Sequence, residues 1–128
     1  MSHVTNVILT FYCRDDNGDD FDPPGKAAVK AWCLDLELSG GMGWPKSIDV
    51  VSGGSKHIEC GAYVWGVNYF KQAEFLEVVR KAPWYNPEYV QVFLQDQHQF
   101  VFTMMTLDKD RQWYIHDPEL VGEKEGRL

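Results

Sequence analysis

The sequence predicts an α+β domain with two helices on one face of a mostly antiparallel sheet. Three observations carry that expectation. Two segments keep 3.6-residue apolar spacing, several short segments alternate with period two, and the helical segments are separated by hairpin-like pairs of strands. The most economical arrangement of that order is a ferredoxin-like βαββαβ sandwich with an additional C-terminal hairpin strand. At 128 residues the chain suits a single domain, 1–128, with an ordered core of about 4–116 and a charged tail.

Asn6 to Cys13 alternates, with Val7, Leu9, Phe11 and Cys13 on one side and Asn6, Ile8, Thr10 and Tyr12 on the other, which predicts a strand with one fully apolar face. The polar run Arg14 to Asp22 follows. Asp22-Pro23-Pro24 then reads as an N-cap with proline in the first helical turn. The helix that starts near Pro23 presents Ala28, Val29, Trp32, Cys33 and Leu36 as one stripe, and Gly40-Gly41 stops it.

A short strand over Ile48–Ser52, the Gly53-Gly54 turn and a longer strand from Lys56 to about Val67 predict a hairpin. Its second arm sets Ile58, Cys60, Ala62 and Val64 on one face and His57, Glu59, Tyr63, Trp65 and Val67 on the other. The polar start of the second set makes that the outward face. Phe70 to Ala82 is a second amphipathic helix, with Phe75, Leu76, Val79 and Ala82 inward, and Pro83 ends it. Two β-prone arms, Tyr89–Gln95 and Phe100–Leu107, flank the turn Asp96-Gln97-His98-Gln99. Beyond Asp117 the tail is charged and expected to fray.

Composition excludes some functions. The formal charge of −7 argues against nucleic acid, because phosphate binding needs a basic face, and favours a basic protein partner. No run approaches the ~20 apolar residues a membrane helix needs, and the N-terminus lacks a signal-peptide pattern, so the expected location is cytoplasmic. Cys13, Cys33 and Cys60 form no C-x-x-C pair and read as reduced thiols. Phosphate-binding glycine loops and nucleophile elbows are absent, so neither a cofactor nor a catalytic residue is assigned.

The densest polar cluster is Asp15, Asp16, Asn17, Asp19, Asp20 and Asp22. A calcium loop needs glycine at its sharp turn and a closing glutamate; starting at Asp15 puts Asp20 and Lys26 there, so no metal site is assigned. The cluster reads instead as an acidic surface. Five Trp, six Tyr and seven Phe are many for this length, and Tyr63, Trp65, Trp84 and Tyr85 fall outside the expected core stripes. An aromatic sheet face rimmed by Asp15, Asp16, Asp19 and Asp20 points to a non-catalytic protein-binding or inhibitory module of the immunity-protein or phage-blocker type, docking on a basic protein. The alternative is a small enzyme or a ligand- or metal-binding domain using His57, Glu59, with Asp49 across the hairpin, and the Asp15–Asp22 loop. A homodimer with its sheets packed face to face is the third reading.

Overall fold

The computed structural model describes residues 4–11, 23–37, 43–44, 61–116 and 126–127. The elements in chain order are β1 (Val4–Phe11), α1 (Pro23–Glu37), β2 (Gly61–Asn68), α2 (Gln72–Lys81), β3 (Gln91–Asp96), β4 (Thr103–Leu107), β5 (Trp113–His116) and the two-residue β6 (Gly126–Arg127). A 3-10 turn over Pro87–Tyr89 leads into β3. The class is α+β, as the periodicities predict.

All strand pairs are antiparallel, in the order β2-β1-β3-β4-β5-β6. Because β2 and β3 both run opposite to β1 and flank it, they are parallel to each other, and α2 makes the crossover between them. The ferredoxin-like topology is not established. The sheet continues past β3 through β4, β5 and β6, which that order lacks, and the strand expected at Ile48–Ser52 lies outside the described residues. The extension has a physical cause in Trp113. A four-residue strand beside β4 seats this indole against the core at 4% exposure and lets its Nε1–H donate to the Leu76 carbonyl of α2 at 3.1 Å.

Alternation in the strands puts Val7, Leu9 and Phe11 of β1, Tyr63, Trp65 and Val67 of β2, Val92 and Leu94 of β3, Met105 and Leu107 of β4 and Trp113 of β5 on one face. Val29 and Cys33 of α1 and Phe75, Leu76 and Val79 of α2 pack on that face and close the core. Both helices therefore share one side of the sheet. Pro83 follows the C-terminus of α2, and Trp84 folds back so that its Nε1–H donates to the Val79 carbonyl at 2.7 Å.

The predicted face of β2 is the reverse of the observed one. Tyr63, Trp65 and Val67 point into the core, while Val64 and Gly66 face away from the helices. Trp65 is 8% exposed and donates to the Gly43 carbonyl at 3.0 Å, and Trp44 packs on both Tyr63 and Trp65, with ring centroids 4.6 and 5.4 Å away. Tyr63 also lies 5.9 Å from the Phe11 ring and under the Lys26 ammonium. Large aromatic rings on this face find ring partners and hydrogen-bond acceptors, which favours turning that set toward the helices; on the other face Ala62 is buried as well, at 3%, and Val64 is exposed.

Candidate interaction surface

The register that aligns the core also aligns the opposite face of the sheet. Val64 pairs with Ile8, Ile8 with Phe93, and Phe93 with Met104, so four apolar side chains form a row across β2, β1, β3 and β4. One step along the strands lies a second row, in which Ala62 pairs with Thr10, Thr10 with Gln91, Gln91 with Thr106 and Thr106 with Tyr114. A third joins Asn6 to Gln95. Among the described residues no helix packs on this face.

The polar rows are internally bonded. Thr10 Oγ1–H donates to Gln91 Oε1 at 3.1 Å, and Asn6 Nδ2–H donates to Gln95 Oε1 at 3.1 Å. Thr106 Oγ1 and His116 Nε2 share a hydrogen bond of 3.0 Å, and the His116 ring meets Tyr114 edge-on at 4.8 Å. Ile8, Phe93 and Met104 are half-buried and Val64 is 38% exposed. The face positions of β1 to β4 carry no ionised side chain. Across β1 to β4 this face is a neutral apolar strip between amide and hydroxyl rows, and the apolar row ends on β5 at His116, the partner of Met104, a composition suited to covering by another surface.

Two clefts run along α2. One, of about 470 Å³, lies between the helices, with Ala28, Trp32 and Val78 in its lining and Glu74, Glu77 and Lys81 among its polar groups. The other, of about 550 Å³, lies between α2 and the start of β5, lined by Leu76 and Trp113 together with Gln72, Glu77, Arg80 and Gln112. Glu77 borders both. Arg80 grips its carboxylate through Nε at 2.8 Å and Nη2 at 3.0 Å, Lys81 approaches at 3.4 Å, and these hydrogen bonds and charges hold the Glu77 carboxyl down at about 2.

The residues singled out from sequence fare differently. Asp15, Asp16, Asp19 and Asp20 lie outside the described residues, as do His57, Glu59 and Asp49. Tyr63, Trp65 and Trp84 are core residues at 5%, 8% and 3% exposure, so they are not an exposed aromatic face. Tyr85, at 64%, is exposed, next to Tyr89 on the loop after α2. Among the described residues no group of three or more His, Cys, Asp or Glu side chains is placed to hold a metal ion, and no helix is long and apolar enough to cross a membrane.

Phe100 was not apparent from sequence. Read as the first residue of a strand, it lies outside β4 and is 99% exposed, with Val101 beside it at 54%. The consecutive apolar triplet Phe100-Val101-Phe102, which breaks period-two alternation, is the signal that marks it.

No protein-family model, no curated protein and no solved structure matches the chain.

Proposed function

We propose that the protein is a non-catalytic binding or inhibitory module, of the immunity-protein or phage-blocker type, that docks on a basic protein in the cytoplasm. The observation that carries this reading is the neutral row Val64–Ile8–Phe93–Met104 on the sheet face that the two helices leave open. A strip of apolar side chains bordered by hydrogen-bonding ones has the make-up of an interface centre. The formal charge of −7 supplies long-range attraction to a basic partner and would make association fast and salt-dependent. Asp15, Asp16, Asp19 and Asp20 remain the proposed acidic rim, while the aromatic share of the surface passes from Tyr63, Trp65 and Trp84 to Phe93 and Tyr85.

The test is affinity isolation from cell lysate at low salt and at roughly 0.5 M salt, where surface charge pairing is strongly screened, using the natural chain and Val64→Lys. A basic protein retained in stoichiometric amount, lost with salt and weakened by the lysine, is the expected result. Retention of a second copy alone identifies a sheet-to-sheet homodimer instead.

A small-ligand reading is favoured by one observation, the 550 Å³ cleft with Leu76 and Trp113 in its lining, which has the volume of ordinary ligand pockets. A ligand there would raise the melting temperature of the natural chain and not that of Ala73→Trp, which fills the cleft.

A further inference from the structure

We propose that the tip of the β3–β4 hairpin is the anchor by which this protein seats itself in an apolar pocket of a basic protein partner, with Phe100 as the inserted side chain. The inference rests on the binding-module reading and adds to it where the partner is gripped.

Phe100 stands 99% exposed directly after a turn in which each residue from Asp96 to Gln99 is held by a hydrogen bond. The Gln99 amide donates to the Asp96 carbonyl at 2.9 Å, and the Asp96 amide donates to Gln99 Oε1 at 2.9 Å. The His98 amide donates to Asp96 Oδ1 at 3.1 Å. The turn is also bound to the first strand, since the Gln97 amide donates to the Val4 carbonyl at 3.0 Å and the Val4 amide donates to Gln97 Oε1 at 2.9 Å. An aromatic ring presented on a rigid mount loses little conformational freedom when it enters a pocket, the property that makes such residues binding hot spots.

The neighbourhood matches. Val4 pairs with Asn68 and Thr5 with Asp96, so the end of β2 lies at the same end of the sheet as the hairpin tip. Tyr69, which follows β2, is 67% exposed, and Val101 is 54% exposed. Three large apolar side chains therefore stand at one end of the sheet.

Charge selects protein over lipid. Residues 95–101 include Asp96 and no lysine or arginine, and the whole chain carries −7. Peripheral insertion into anionic leaflets relies on a cluster of basic residues beside the apolar wedge, whereas here Lys71, two residues past Tyr69, is a single cation set against Asp96. A protein pocket rimmed by basic or hydrogen-bond-donating groups complements both the ring and the charge.

The experiment places a photo-crosslinking p-benzoylphenylalanine singly at Phe100, at Val64 on the open sheet face and at Lys109, exposed in the turn at the opposite end of the sheet. The full chain is irradiated in cells. Expected is an adduct with a basic heterologous protein from position 100 and none from 109. That protein, once identified and purified, should bind Phe100→Ala ~30-fold more weakly than the natural chain, with an unchanged melting temperature because the ring touches nothing in the fold. An adduct from 64 alone, or equal affinity for Phe100→Ala, overturns the anchor and leaves the binding module standing. No adduct from 64 or 100 overturns both. An adduct with a second copy, or binding to phosphatidylcholine–phosphatidylglycerol vesicles that Phe100→Ala abolishes, overturns the choice of a basic protein as occupant.

Discussion

Gly25, in the first turns of α1, lies flat against the indole of Trp84, the residue that folds back after α2. A Cβ built on Gly25 would come within 2.7 Å of Cζ3 of that ring and closer still to Cδ2 and Cε3. The ring cannot step aside. Its Nε1–H is bonded to the Val79 carbonyl, its face packs on Phe11 with centroids 5.1 Å apart, and it is 3% exposed. The absence of a side chain at position 25 therefore sets how closely α1 approaches the end of α2.

The first prediction follows from that contact. Alanine at an exposed helical glycine gains about 1 kcal/mol in propensity, yet overpacking a rigid core costs about 1–3 kcal/mol. With an immobilised indole the upper end applies, so Gly25→Ala should destabilise by about 2 kcal/mol net. Urea unfolding measures it. A higher midpoint than the natural chain would show that the helix and ring separate freely.

Arg111 yields the second. Its backbone is left-handed, at φ 62°, in the β4–β5 turn, while its guanidinium donates to the Ala82 carbonyl and, at 3.2 Å, to the Trp84 carbonyl beyond α2. Left-handed backbone costs a non-glycine residue about 1–2 kcal/mol, and hydrogen bonds from a charged donor contribute about 1.5–3 kcal/mol. Glycine relieves the first while forfeiting the second; alanine forfeits the bonds and keeps the strain. Stability should fall in the order natural, Arg111→Gly, Arg111→Ala, with about 1 kcal/mol between the two variants. A natural chain no more stable than Arg111→Ala would show that the side chain adds nothing, and Arg111→Ala above Arg111→Gly that the left-handed backbone costs nothing.

The contrast between α2 and β2 shows what a sequence of this kind discloses. The stripe Phe75, Leu76, Val79 is buried as its spacing predicts, and Pro23 and Pro83 stand at the helix boundaries where their geometry belongs. In β1, Val7, Leu9 and Phe11 are buried on one side as alternation requires. Strand β2 alternates too, but both of its faces are apolar from Ala62 to Val67, and alternation gives a period without giving its sign. His57 and Glu59 decided the sign from sequence, and neither lies within β2. The ring partners that reverse it, Trp44 and Phe11, come from distant segments, and so does the Gly43 carbonyl that receives the Trp65 N–H. At four residues β5 is too short for periodicity to mark it, although Trp113 is among the core residues. The proposed binding surface is half legible in the sequence. The acidic excess is plain in the composition, whereas the row Val64–Ile8–Phe93–Met104 exists only after four strands are brought into register.

The third prediction concerns acid. Because Arg80 and Lys81 hold the Glu77 carboxyl at about 2, below its ordinary 4.5, the folded state binds that proton less readily than the unfolded chain. The contribution is present in full above about pH 4.5 and fades as pH falls toward about 2. Glu77→Gln should thus melt slightly lower than the natural chain at neutral pH and coincide with it near pH 2, and salt should shrink the difference because the pair is exposed. Equal melting at every pH would assign the pair no role in stability.

Cys33 gives the fourth, at the alkaline end. Burial among the core residues pushes its thiol from 9.0 up to about 12, so the folded protein keeps the proton that the unfolded chain releases. Above about pH 9 the unfolded state gains by ionising and the folded state does not, and stability should decline from there toward about pH 12. Since the thiolate is the nucleophile, iodoacetamide at pH 8 should leave the Cys33 peptide unmodified in the native protein and label it fully in denaturant. Substitution by serine, which cannot ionise in this range, should remove the part of the alkaline decline due to this thiol. Rapid native labelling of Cys33 would mean that α1 lifts from the sheet often enough to expose it, and the approach fixed by Gly25 and Trp84 would then be the contact that opens.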